Sequence, residues 1–297
     1  MKDNKISIHF DGPITKNHAV QLRAFTKTLG HIQASIDRAY LDIKKKGILK
    51  NDRLRDEDYA PTEFLLNQTR EGGFIADLLG SEPDSGDIVK RIDSAVTPAY
   101  QQAQEPVQAE RERLVDQATQ RLEYYKAKAQ IPTPYAEFVN NPDQRQIRAY
   151  GDRSIVKEFD QIASAVRARD GDGSYVEISL YAGKSLSNFV FDHKTSEAFH
   201  DVVSVRALGD PVEIPVTLRS LDSGSGGVSK ARAHNLISGK DFNLHIHTVR
   251  GFSGLKKYLK KVSPPAFNIV ACPILEYGAF DPRAGDMYFI SVIKEDL

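Results

Sequence analysis

Between Val212 and the C-terminus the residue pattern changes period twice, and that change constrains the fold more than any other feature of the chain. Val212–Leu221 reads as a strand, followed by the glycine-rich loop Asp222–Gly227. Val228–Ser238 and Phe242–Val249 read as two more strands, joined at Gly239-Lys240. In the last of these, Phe242, Leu244, Ile246 and Thr248 share one face and Asn243, His245 and His247 the other, because a strand has a period of two. The period then lengthens. Phe252, Leu255 and Leu259 lie three and four apart, the spacing of one helix face, with Lys256, Lys257, Lys260 and Lys261 on the wet side. Ser263-Pro264-Pro265 stops that helix. Strands over Phe267–Glu276 and Asp286–Lys294 close the chain, joined by the loop Tyr277–Gly285. Three strands, a helix and two strands is the order of an OB-like barrel, a small cylinder whose strand 2–3 face and loops serve oligonucleotide binding in many proteins.

The rest of the chain predicts an α+β domain. Lys5–Phe10 alternates as a half-buried strand. A long helix over 18–46 carries Leu22, Phe25, Leu29, Ile32, Ile36, Ala39 and Ile43 as a heptad stripe, which predicts another long helix or a sheet as its partner. Glu63–Thr69 and Phe74–Leu79 form a hairpin around Arg70–Gly73. Residues 88–128 read as helical, kinked or split at Pro98 and Pro106. A helix over 154–169, strands over 175–181 and 189–192, and a short helix over 195–203 capped by Thr195 follow. The domains expected are therefore 1–209, α+β with long helices, and 210–297, the barrel.

Charge is concentrated in the barrel. From Lys230 to Lys261 there are eight Lys and Arg residues against Asp241 alone, a local net charge of +7 in a chain that is neutral as a whole. Such a window is either a solvated face or a field aimed at an anion. On the second barrel strand Lys230, Arg232 and His234 share the parity opposite to Ala231 and Ala233, which places them beside Asn243, His245 and His247. The expected nucleic-acid contacts are Lys230, Arg232, His234, His245, His247, Lys256 and Lys257, with Tyr277 and Phe280 available to stack on bases. The strand 2–3 face itself carries no aromatic residue, which counts against strand-face stacking.

No sharper chemistry emerges. The histidines lack a third and fourth ligand at short range, so neither a metal nor another cofactor is expected. Gly224–Gly227 ahead of Lys230 is not a phosphate loop, because a strand follows it where a helix is needed. Asp170-Gly-Asp-Gly173 is a turn. Cys272, the one cysteine, excludes an internal disulfide and reads as a small buried hydrophobe. The absence of an 18-residue apolar run predicts no membrane span and a cytoplasmic protein.

Two stretches carry a resemblance. Ile8-His-Phe-Asp-Gly-Pro13 with the long helix and the Arg70-Glu-Gly-Gly-Phe74 hairpin, and Ala271-Cys-Pro-Ile-Leu-Glu-Tyr-Gly-Ala-Phe280 with its closing strand, resemble uncharacterised bacterial and prophage-borne proteins. That resemblance implies an α+β part followed by a small barrel, cargo of mobile elements or phage–host conflict, and no established activity. The expected function is that of a non-catalytic homo-oligomer, assembled through its long helices, whose barrel engages nucleic acid or a nucleic-acid-bound partner, the ligand being single-stranded nucleic acid or a protein. The alternatives are a protein–protein inhibitor or scaffold, and a histidine-dependent phosphoesterase or nuclease.

Overall fold

The computed structural model describes residues 4–17, 19–67, 73–105, 112–140, 147–224, 228–259 and 264–293. The hairpin tip at 70–72, Pro106, the loop residues 225–227, Ser263 and two cations of the basic window, Lys260 and Lys261, lie outside the described residues. The chain divides into two compact units, one of residues 1–108 and 149–205, the other of 109–148 and 206–297. The sequence predicts one break near 209. The structure instead assigns a second segment, 109–148, to the barrel.

The first unit begins with β1 (Lys5–Asp11), the short pair β2 (Thr15–Lys16) and β3 (Ala19–Val20), α1 (Leu22–Lys45), β4 (Phe64–Leu66), β5 (Phe74–Gly80) and α2 (Ser85–Gln104). The chain then enters the second unit as α3 (Leu114–Lys126), β6 (Thr133–Pro134) and α4 (Tyr135–Asn140). It returns as α5 (Tyr150–Arg167), β7 (Tyr175–Ala182), β8 (Ser185–Phe191) and α6 (His193–Val203). The remainder is β9 (Arg206–Leu208), β10 (Val212–Asp222), β11 (Ser229–Asn235), β12 (Lys240–Ile246), α7 (Val249–Leu255), β13 (Phe267–Glu276) and β14 (Met287–Val292).

In the first unit an antiparallel sheet of order β4-β5-β1-β7-β8 carries α1, α2, α5 and α6. The alternation of β1 decides which face is covered. Ile6, Ile8 and Phe10 are fully buried, in register with Leu78 and Ala76 of β5 and with Leu180, Ile178 and Val176 of β7. The opposite face is polar, with Lys5 bonded to Asp77 at 3.3 Å and His9 3.6 Å from Glu177. The stripe of α1 is buried at Ile32, Ile36 and Ala39 against α5 and α2, while its ends, Leu22 and Ile43, are exposed. The middle of the heptad face is therefore occupied within the chain. α2 runs unbroken through Pro98. The cap of α6 is Asp192, whose carboxylate accepts from Thr195 N at 2.7 Å; Thr195 itself lies inside the first turn.

β8 is a free sheet edge, and α2 closes part of it. The Tyr100 hydroxyl donates to Val190 O and accepts from Val190 N, both at 3.0 Å. One side chain thus satisfies both backbone groups that an incoming strand would pair. Tyr100→Phe should lower stability by about 1–2 kcal/mol in urea unfolding, since two partly solvated hydrogen bonds are lost while the ring packing stays.

The second unit is the expected OB-like barrel. Its strands run in the order β10-β11-β12-β14-β13 and close through β10–β13 pairing; β12 and β14 are parallel and the other pairs antiparallel. Inward-facing Val212, Ile214, Val216 and Leu218 meet Ala231, Ala233, Phe242, Leu244, Ile246, Ile269 and Phe289. Leu255 of α7 plugs the core and is fully buried, worth about 2 kcal/mol on its own. α3 covers the outside of β13 and β14, with Ala118, Leu114, Leu122 and Tyr125 packed on Val270, Cys272, Ile274, Tyr288 and Ile290. Cys272 is buried there as expected, and burial raises its thiol to about 12.

Candidate nucleic-acid interface

The polar face of β11 and β12 assembles as the alternation predicts. Lys230 stands opposite His245, Arg232 opposite Asn243 and His234 opposite Asp241. Lys230 and Arg232 are exposed, and His234 and His245 are half-buried. The charge on this face is nonetheless largely balanced. Asp241 lies 3.1 Å from Arg232 Nε, 2.8 Å from His234 Nδ1 and 3.9 Å from Arg219 Nε. The hydrogen bond from His234, helped by Arg232 and Arg219, holds the Asp241 carboxyl below the usual carboxylate range. A second carboxylate, Asp286, accepts from Asn243 Nδ2 at 3.3 Å and lies 3.7 Å from His245 Nε2. Asp286 is forty residues away in sequence and reaches this face through the parallel β12–β14 pairing, so a count along the chain misses it.

His247 sits just past the end of β12, against Tyr288, with the ring centroids 5.4 Å apart. His245 stacks on the same tyrosine at 6.3 Å. His247 Nδ1 and the Tyr288 hydroxyl are buried without a hydrogen-bond partner. Burial pushes the imidazole below its ordinary value and the phenol up to about 12. A buried hydroxyl with no partner costs about 1–3 kcal/mol of lost hydration. Tyr288→Phe should therefore be neutral or stabilising by about 1 kcal/mol in urea unfolding, and a clear loss would mean the hydroxyl is bonded in solution. For His247 the folded value lies below the unfolded one near 6.5, so the unfolded chain binds the proton first. Its contribution is full above about pH 6.5, declines as pH falls and levels off below the folded value. His247→Phe should flatten the stability–pH curve between pH 7 and 5.

Tyr277 and Phe280, expected to stack on bases, are both buried. They are 4% and 5% exposed. Tyr277 adopts positive φ in the turn after β13 and lies under the Arg148 guanidinium at 4.5 Å, while Phe280 packs on Phe138 in the barrel core. The loop is folded inward because residues 135–140 and 147–148 cover it, with Arg148 N donating to Gly278 O at 2.8 Å.

Three further cations gather elsewhere. Lys126 ends α3, Arg250 lies in α7 and Lys257 in the 3-10 turn behind it, and all three line a cleft of about 410 Å3 against β14. Among the described residues no carboxylate lines it, and its apolar lining is Leu122, Phe289, Ile290 and Val292. Thr248 caps α7 by accepting from Gly251 N at 3.0 Å, and the buried Leu255 holds the helix down, so Arg250 and Lys257 are fixed at the rim. Gly251 permits this approach, since a Cβ there would stand 2.9 Å from the Phe289 ring. Lys256 does not line the cleft; its ammonium lies over the Phe252 ring at 5.2 Å. Sequence reasoning selected Lys257, left Arg250 unassigned within its window and missed Lys126 altogether. A signal for Lys126 was present: β13 is apolar on both parities from Ile269 to Leu275, the mark of a strand covered on both faces, and the charged amphipathic helix at 114–126 is the cover.

Among the described residues no three His, Cys, Asp or Glu side chains converge as metal ligands, and no helix is long and apolar enough to cross a membrane. The fold and cleft define a barrel-bearing α+β protein; comparison with protein families, curated proteins and solved structures finds no match to the chain.

Proposed function

We propose that the second unit is a binding module for nucleic acid, and that its anchor is the cleft between α3 and α7 rather than the β11–β12 face. One observation carries this reading: three cations from three segments converge on one concavity with no acid among its described lining residues, within a neutral chain. Elsewhere on the barrel exterior Arg206, Arg219 and Arg232 each have a carboxylate at hand. Cations without local partners interact most with an anion that brings its own charge, and a phosphate chain brings one per nucleotide. Lys256 and Lys230 extend the positive surface beyond the cleft. The test is binding of short labelled single- and double-stranded DNA and RNA at 50 and 200 mM salt. Affinity that falls steeply with salt supports the reading, and affinity indifferent to salt sinks it. The histidine-dependent hydrolase gains nothing from the geometry, since His234 and His245 are each tied to a carboxylate on a strand face and His247 is half-buried against Tyr288.

A further inference from the structure

We infer that the α3–α7 cleft seats one unstacked nucleobase, with the flanking phosphates on its rim, so that the module selects single strands over duplex; the inference rests on the reading above. Phosphate binding alone would need only the cations. This concavity adds apolar lining, where the half-buried Leu122 of α3 and Val292 of β14 border the same cleft as the cations. At about 410 Å3 the cleft falls in the size range of small-ligand sites, roughly 300–1,000 Å3. A ligand that fits must be flat and apolar over its body and anionic at its edge. A base with its 5′ and 3′ phosphates has that form, and a base inside a duplex cannot present it without leaving the stack. Gly254 lines the cleft and has no atom within 4 Å of where its Cβ would stand, so the wall is left bare on that side. Thr248 and Ser291 supply hydroxyls at the margin for the polar edge of the base.

The same glycine supplies the test. Gly254→Leu adds a side chain at the cleft wall from a Cβ position with no atom within 4 Å, so it should leave the melting temperature unchanged and weaken binding of a short single strand about tenfold, the effect of losing one stacked base. An abasic strand of equal length should bind the unaltered protein about tenfold more weakly than the normal strand, and Gly254→Leu should not weaken the abasic strand further. A measurement without any variant runs beside these: AMP should displace the labelled strand at concentrations where ribose 5-phosphate does not. If normal and abasic strands bind equally, and AMP competes no better than ribose 5-phosphate, the base-seating inference is overturned while salt-dependent binding still supports the wider reading. If no strand binds even at low salt, both fall together.

Discussion

Reversing Lys126 and Lys257 together to glutamate should weaken single-strand binding about a hundredfold at low salt. The two side chains come from different helical segments and line one cleft with no acid among its described residues. A reversal replaces an attraction by a repulsion across the same distance, so it counts about twice a neutralisation. It also removes two phosphate contacts. The slope of log affinity against log salt should therefore become shallower by about 1.4, since each contact with a single strand contributes about 0.7. Arg232→Glu on the β11 face is the matched control. Its guanidinium is already partnered by Asp241, so the loss there should be several-fold smaller. Fluorescence anisotropy across a salt series measures all three proteins. Equal losses at the two places would return the binding surface to the strand face.

Arg91→Met should cost the first unit about 3 kcal/mol, a drop in melting temperature of about 6–12 °C, without altering nucleic-acid affinity. Arg91 of α2 donates through Nε to Asp42 of α1 at 2.6 Å and through Nη2 to Asp152 of α5 at 2.7 Å. One guanidinium joins three helices, and its planar fork matches two carboxylates at once, which a lysine cannot reproduce. The Asp42 side chain is 11% exposed, so removing Arg91 leaves a carboxylate that water reaches poorly. Packing around it is tight: Gly151 stands so close that a Cβ would come within 2.4 Å of Asp42 Oδ1. Asp42 Oδ1 also accepts from Ile48 N at 3.0 Å, which secures the end of α1. Arg91→Met with Asp42→Asn should recover part of the loss, because the stranded charge is then gone. A cost below about 1 kcal/mol for Arg91→Met would show that the clasp is solvated and contributes little.

Most of the elements were legible in the sequence because each is set by local period. Ile6, Ile8 and Phe10 alternate and lie on the covered face of β1. Phe242, Leu244 and Ile246 alternate and lie inside the barrel. The pairing of Lys230 with His245 and of Arg232 with Asn243 follows from two adjacent strands joined by a short turn. Errors fell where long-range packing decides. Tyr277 and Phe280 sit in a loop with turn residues around them, which reads as exposed, yet a segment 130 to 140 positions earlier covers it. Thr195 was a sound capping residue, but Asp192 three positions before it has the side chain that reaches the free N–H.

The sequence by itself determined the strand and helix order, the barrel's inward face and the excess of positive charge near its C-terminal third, since period and composition are local properties. Only the tertiary structure decided where that charge acts. Asp241 and Asp286 balance the strand face across hydrogen-bonded neighbours, and α3, inserted between two elements of the other unit, brings Lys126 to Arg250 and Lys257. Electrostatic potential depends on distances in space, and linear counting has no access to them.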